Sequence, residues 1–333
     1  DTLVLQKALS SSDTFIDVGI AGTAMRFLTA YYALRASEVI LTGASRMKQR
    51  PIKGLVDALC SLGADIEYME KEGYPPLKIK GKSLEGGVLQ IKSDISSQFI
   101  SALLMVGPYF EKGLQLELQG AVISRPYIKM TLDLMKKQGA SHQWEGHKIY
   151  IPPGGYQTNI SQVESDWSSI SYLFELVALS DTGSIELTQV DENSVQGDKE
   201  VMRYFKSLGV DSSIKHGVLT LRKMSDFDLP KHLEFDCLNT PDLAQTLAVT
   251  ACGLGVPMKL TGLQSLPIKE TNRLMALKNE LEKCGAQVFI LNNEALEVIP
   301  GSSFLNQNFY FQTYGDHRMA MCLAPLALKA KSV

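Results

Sequence analysis

Five segments of this 333-residue chain place hydroxyl, amide or charged side chains directly ahead of strongly apolar runs. They open at Gly22 (GTAMRFLTAYYAL), Ser96 (SSQFISALLMVG), Asp166 (DWSSISYLFELVAL), Asp242 (DLAQTLAVTACG) and Asp316 (DHRMAMCLAPLAL). The first turn of an α-helix carries unpaired backbone N–H groups and a partial positive charge. Hydroxyls in that turn add rotatable donors, so Ser96, Ser97 and Gln98 describe a seat for phosphate. The same serines could simply cap a helix, since Ser is a favoured cap. Recurrence shifts the weight toward the seat: if the apolar helices run parallel, their polar starts face one cavity.

Further anion-reading side chains stand beside these elements. Arg46 and Arg50 precede an amphipathic stretch, and Ser124, Arg125 and Tyr127 occupy the same place one unit later. Lys269, Glu270 and Arg273 follow in KETNR, and Asp316, His317 and Arg318 open the last apolar run. A single Arg is ordinarily a solvated charge, and KETNR alone could be a helix with an acidic first turn. Asp, His and Arg together before a buried helix carry a desolvation cost unless partners or a ligand balance it. Asp242 could be only a charge placed against the helix dipole, and Asp166 with Ser168 and Ser169 reads as structural. His142, His147, His216 and His232 have no ligand-like spacing and read as surface residues.

The five runs are separated by 74, 70, 76 and 74 residues, the mark of an internal repeat. Between them lies a second kind of helix. In PIKGLVDALCSLG the apolar positions Ile52, Leu55, Val56, Leu59 and Leu62 follow helical spacing, with Gly63 as a stop signal. PYIKMTLDLMKKQG, DKEVMRYFKSLG and ETNRLMALKNELEKCG repeat the plan, each followed by two strand-like stretches such as AQVFILNNEALEVIP. The unit therefore reads strand, apolar helix, strand, amphipathic helix, strand, strand. Helices apolar all round must be buried, while the amphipathic ones cover a flank.

The expected fold is α/β, with four whole units and two partial ones making six. Both ends read as trimmed: TLVLQKAL resembles an amphipathic helix without its apolar mate, and the run at 316–328 has no amphipathic partner. The expected domains are 1–162 and 163–333, with the first unit of one and the last unit of the other incomplete.

Composition narrows the partners. Hydrophobic content of 45%, charged content of 21% and a net charge of −3 describe a globular protein without a basic field for nucleic acid or anionic lipid. No apolar run reaches membrane-spanning length. Five scattered cysteines (Cys60, Cys237, Cys252, Cys284, Cys322) suggest buried free thiols in a reducing compartment, and no spacing suggests a metal.

GTAMRFLTA, RPIKGLVDAL, SSQFISALLM, SRPYIKMTLDLM, IKETNRLMAL and TYGDHRMAMC, in that order, resemble the 5-enolpyruvylshikimate-3-phosphate synthase family. The resemblance runs from about Asp1 to the end. It implies a two-domain enolpyruvyl transferase fold of six βαβαββ units, closing on its substrates. The implied reaction joins phosphoenolpyruvate to the 5-hydroxyl of shikimate 3-phosphate, on the route to chorismate and the aromatic amino acids. Implied too are no cofactor, no metal, and a monomeric, cytoplasmic enzyme that is the target of glyphosate.

Residue by residue, the resemblance implies that Ser96, Ser97, Gln98, Ser124 and Tyr127 bind shikimate 3-phosphate in the N-terminal domain. Asp242 and Lys269 would complete that contact. For phosphoenolpyruvate it implies Gly22, Arg50 and Gln98, with Arg273 and Arg318 as a carboxylate clamp supported by His317. Asp242 and Glu270 would be the catalytic carboxylates: one for the attacking hydroxyl, one for the C3 proton. The chain departs from the family pattern at Ile20, where Asn is usual, at Asn272, where Asp is commoner, and at Ser265, where Asn is frequent. The family's N-terminal lysine motif and C-terminal lysine have no counterpart, which implies weak turnover. Related enolpyruvyl transfer to UDP-N-acetylglucosamine uses a loop cysteine that ASRMKQRPI lacks. A non-catalytic anion-binding relative of the same fold is the alternative.

Overall fold

The computed structural model describes residues 2–92, 96–120, 122, 124–157, 163–301 and 307–333. The chain forms two compact units, Asp1–Ser161 and Gln162–Val333. The expected boundary between 162 and 163 falls at residues 158–162, which lie outside the described residues.

The first unit opens with helix α1 (Thr2–Ser10), then strand β1 (Phe15–Asp17), α2 (Gly22–Leu34), β2 (Glu38–Thr42), α3 (Lys53–Ser61), β3 (Asp65–Tyr68) and β4 (Leu77–Lys80). A second set follows: β5 (Gly87–Lys92), α4 (Ser97–Val106), β6 (Leu114–Gln119), α5 (Arg125–Lys137), β7 (Gln143–Glu145) and β8 (Lys148–Ile151). The two sheets have the same strand order, β1-β2-β4-β3 and β5-β6-β8-β7. In each, the first pair is parallel and the others antiparallel. Parallel neighbours require a crossover, and the apolar helices α2 and α4 supply it.

The second unit contains α6 (Trp167–Leu179), β9 (Ser184–Leu187), α7 (Val201–Lys206), β10 (Val210–Lys215) and β11 (Val218–Lys223), with sheet order β10-β11-β9. Then come β12 (Leu233–Asp236), α8 (Ala244–Leu254), β13 (Met258–Thr261), α9 (Arg273–Lys283), β14 (Gln287–Leu291), β15 (Ala295–Ile299) and α10 (His317–Leu323). This sheet repeats the order seen twice before, β12-β13-β15-β14. The strand expected ahead of α6 falls partly on residues outside the description.

Each unit has its own core, built chiefly by the apolar helices. α8 is buried from Ala244 through Cys252, and α4 buries Phe99, Ile100, Leu103 and Leu104. Each leucine so enclosed contributes roughly 1.5–3 kcal/mol. The amphipathic α3 instead buries one stripe, Leu55, Val56, Ala58 and Leu59. Cys60 lies one residue off that stripe and is exposed, unlike the other four thiols. The expectation of a buried thiol there fails because helical rotation carries position 60 to the outer face.

Within each unit the starts of the apolar helices lie together. Gln98 Nε2 on α4 donates to Thr23 Oγ1 on α2 at 3.2 Å. In the second unit Ser171 on α6 and Thr246 on α8 share a hydroxyl contact of 3.1 Å. Arg318 at the start of α10 reaches Asp242, just ahead of α8.

Candidate active site

The candidate residues form one set per unit. In the first, Gly22 begins α2 and the Arg50 guanidinium lies directly against it. A Cβ at position 22 would stand 2.6 Å from Arg50 Nη1 and 2.9 Å from Nη2, so only glycine lets the guanidinium approach the helix start. Arg50 is buried. Ser96 caps α4, its Oγ accepting from the Gln98 N–H at 3.3 Å. Capping uses a lone pair and leaves the hydroxyl proton available, so cap and anion donor coexist in one side chain. Ser97 and Gln98 form the first turn beside it, and Gln98 ties that turn to α2.

Ser124 precedes α5 with φ 54°, a left-handed conformation unusual for serine, and its side chain is buried without making the cap bond. Such conformations persist where the surroundings enforce them and are common at ligand clamps. Tyr127 lies in the first turn of α5. That helix packs on α4 through a buried hydroxyl pair, Ser101 to Thr131 at 2.7 Å.

The second set centres on Arg273, the first residue of α9, which is 1% exposed. It donates to three carboxylates. Nε and Nη2 reach Asp316 Oδ2 and Oδ1 at 2.8 and 3.3 Å, Nη2 reaches Glu270 Oε2 at 2.7 Å, and Nη1 reaches Asp242 Oδ1 at 3.1 Å. Arg318 Nη2 donates to Asp242 Oδ2 at 3.1 Å, and Lys269 Nζ stands 3.4 Å from Asp242 Oδ1. Three formal cations therefore face three carboxylates in a neutral, partly desolvated cluster. Burial alone would push the Asp242 carboxyl up, but Arg318, Lys269 and Arg273 together hold it well below the usual carboxylate range. Burial works against the charge on Arg273, yet Asp242, Asp316 and Glu270 more than offset it and raise its pKa.

Local sequence explains the placement. Asn272 caps α9 by accepting from the Met275 N–H at 3.2 Å, so the departure from Asp at this position keeps the capping function. Capping starts the helix at Arg273 and leaves Lys269 and Glu270 in the bend just ahead of it. Asp316 caps α10 through the Arg318 N–H at 2.9 Å. His317 is exposed, with Nδ1 4.0 Å from Oδ1 of Asp316, the acid that orients Arg273. Among the described residues no group of three or more His, Cys, Asp or Glu side chains is arranged to hold a metal.

Arg26 and Tyr172, to which the sequence reading gives no site role, join these sets, and Asp316, which it singles out with His317 and Arg318, gains a defined partner. Arg26 on α2 is buried and donates to Gly22 O at 3.2 Å and Pro51 O at 3.3 Å, holding together the two segments that bear Gly22 and Arg50. Its signal in sequence is a charge inside an otherwise apolar helix, four residues after Gly22. Asp316 grips Arg273 with both oxygens; its partner is 43 residues away, and nothing local announces it. Tyr172 on α6 is buried beside Arg318. Burial raises its phenol, with Arg318 opposing, so it stands as a neutral neighbour of the clamp.

The EPSP synthase (3-phosphoshikimate 1-carboxyvinyltransferase) family model matches residues 4–333. A Bacteroides fragilis 3-phosphoshikimate 1-carboxyvinyltransferase is 46% identical over 332 residues, covering 98% of this chain and 80% of the relative. The Pasteurella multocida protein of that name is 37% identical over 325 residues, covering 95% of this chain and 72% of its own length. An Acinetobacter baumannii EPSP synthase structure superposes with a TM-score of 0.71 at 20% identity, across 96% of this chain and 74% of that one, a likeness of fold. Sequence and fold agree, and the chain belongs to the EPSP synthase (3-phosphoshikimate 1-carboxyvinyltransferase) family.

Proposed function

We propose that this chain transfers the enolpyruvyl group of phosphoenolpyruvate to the 5-hydroxyl of shikimate 3-phosphate, releasing inorganic phosphate. Family membership supports the reaction. The observation that carries the residue assignment is the sharing of Arg273 by both proposed catalytic acids, Asp242 and Glu270, although 28 residues separate them in sequence.

Transfer needs a proton delivered to C3 of the enol while the hydroxyl oxygen attacks C2. The hydroxyl proton passes to Asp242, and Glu270, which takes up a proton from solvent before transfer, supplies the C3 proton. The tetrahedral adduct then expels phosphate from C2 and returns a C3 proton to Glu270, while the proton on Asp242 leaves with phosphate. Fixed positive charge stabilises the anions throughout. Arg273 and Arg318 take the phosphoenolpyruvate carboxylate, a group suited to guanidinium's paired donors. Gly22 and Arg50 take its phosphate, with Gln98 beside them. Ser96, Ser97, Gln98, Ser124 and Tyr127 hold shikimate 3-phosphate, and Lys269 and Asp242 read its hydroxyls. His317 supports the clamp through Asp316.

The reading extends to a cytoplasmic monomer that takes small-molecule substrates and neither nucleic acid nor membrane. The five free thiols fit a reducing compartment, and among the described residues no helix is long and apolar enough to cross a membrane. A phosphate-release assay tests the function. Saturable release that requires both substrates is expected; binding of both without release would favour the anion-binding alternative.

A further inference from the structure

Asp242 has two competing obligations. The proposed reaction turns it toward the attacking hydroxyl, yet both of its oxygens are engaged: Oδ1 by Arg273 at 3.1 Å and Lys269 at 3.4 Å, Oδ2 by Arg318 at 3.1 Å. A carboxylate held by three cations is a poor base, because each close positive charge favours the ionised form. The two guanidiniums on it are also the pair assigned to the substrate's carboxylate. The clamp already contains an acid group, and it belongs to the protein.

The cluster's charges decide what an incoming carboxylate does. While Glu270 is ionised, three cations balance three carboxylates among the described residues, so this set holds no uncompensated positive charge for the ligand. One resident must yield a guanidinium. Arg273 is the wrong one to surrender: it is fully buried, and Asp316 and Glu270 hold it through three further bonds. Arg318 differs. Its backbone is anchored by Asp316, but its side chain is 15% exposed, with Asp242 Oδ2 on Nη2 and the Tyr172 phenol beside it. The ligand reaches Arg318 without dismantling the rest.

We propose that Asp242 is a resident competitor for the substrate carboxylate, and that phosphoenolpyruvate displaces Asp242 Oδ2 from Arg318 and frees that oxygen for the attacking hydroxyl. The proposal rests on the enolpyruvyl-transfer reading for the identity of the ligand. Only hydrogen bonds are exchanged in this step: Arg318 passes from one carboxylate to another, while Asp242 Oδ1 stays with Arg273 and Lys269. Losing one cation of three makes Asp242 more basic at the moment its substrate arrives.

Calorimetric titration with phosphoenolpyruvate alone, comparing the wild-type chain with Asp242→Asn, tests the exchange. Asparagine keeps the shape and removes the competing charge, so binding should tighten by about tenfold or more while turnover is lost. Unchanged or weaker binding by the folded variant overturns the proposal. A crystal structure of the wild-type protein with phosphoenolpyruvate tests it without any variant. The ligand carboxylate is expected on Arg318, with Asp242 Oδ2 moved out of hydrogen-bond range. A persisting Arg318–Asp242 bond beside a bound carboxylate overturns the exchange but leaves the clamp. A carboxylate bound away from Arg318 overturns both, and the phosphate-release assay then decides independently whether the function itself stands.

Discussion

Around Gly22 and Ser96 the first unit offers mostly neutral donors: a helix start, serine hydroxyls, the Gln98 amide and one arginine pressed against a glycine. Around Arg273 the second unit offers charge already balanced by charge, three cations against three carboxylates. The difference follows from the jobs proposed for them. A phosphate brings its own full charge and needs oriented dipoles that cost little to leave solvated. Proton transfer needs acids and bases whose strengths are set by fixed neighbours, and those neighbours must be held by something while the site is empty.

That contrast predicts unequal responses to substitution, the largest in the second unit. Glu270→Gln should lower turnover by about 10²–10⁴-fold, the range for loss of a general acid–base group, while shikimate 3-phosphate affinity stays within about twofold. Steady-state kinetics with calorimetry separates the two; equal losses would mean Glu270 serves binding. Arg273→Met should cost about 3–5 kcal/mol of stability in urea melts, because it strands the buried Asp316 carboxylate. A melt unchanged from wild type would show that the cluster does not hold its unit together.

Smaller effects are expected in the first unit. Ser97→Ala should weaken shikimate 3-phosphate binding by roughly 1–3 kcal/mol, the loss of a donor to a charged group, without changing the melt. Ser96→Ala should do the same and also cost about 1 kcal/mol of stability as a lost cap. If Ser96→Ala changes only stability, the serine is a cap and nothing more.

The apolar helices and their polar starts are legible in sequence because one local pattern, repeated at near-constant intervals, specifies both. The charge cluster is only partly legible. Asp242, Glu270, Arg273 and Arg318 can be named from motifs, but the geometry joining them depends on contacts spanning 31 and 76 residues that no periodicity encodes. DKEVMRYFKSLG enters through a 3-10 turn, Gly197–Glu200, and only Val201–Lys206 is α-helix, which the helical spacing alone does not indicate.

Glu175 was equally hidden, as one acid in an apolar run. It is fully buried on α6, and neither carboxyl oxygen finds a partner among the described residues; the Thr250 hydroxyl beside it gives its proton to Thr246 O at 2.6 Å. Burial raises this carboxyl well above the ordinary range, Thr250 opposing weakly. Its contrast with Glu280 is instructive, since that buried acid accepts from Lys283, the Gln312 N–H and Tyr314. A folded pKa above the unfolded value means stability is lost as pH rises from the unfolded glutamate value, about 4.3, toward the folded one. Glu175→Met should therefore stabilise the protein by at least about 1 kcal/mol at pH 8, and by less at pH 5. Thermal melts at the two pH values check it; a gain larger at pH 5 would contradict the assignment.

The division of labour between neutral donors and charged acids rests on Glu270 moving the C3 proton. Turnover in D2O, followed by NMR of the enolpyruvyl methylene in the product, measures that step directly. Deuterium should enter C3 with the wild-type chain, and its rate of entry should collapse in Glu270→Gln while shikimate 3-phosphate still binds. Deuterium entering C3 at an undiminished rate in that variant would contradict the account.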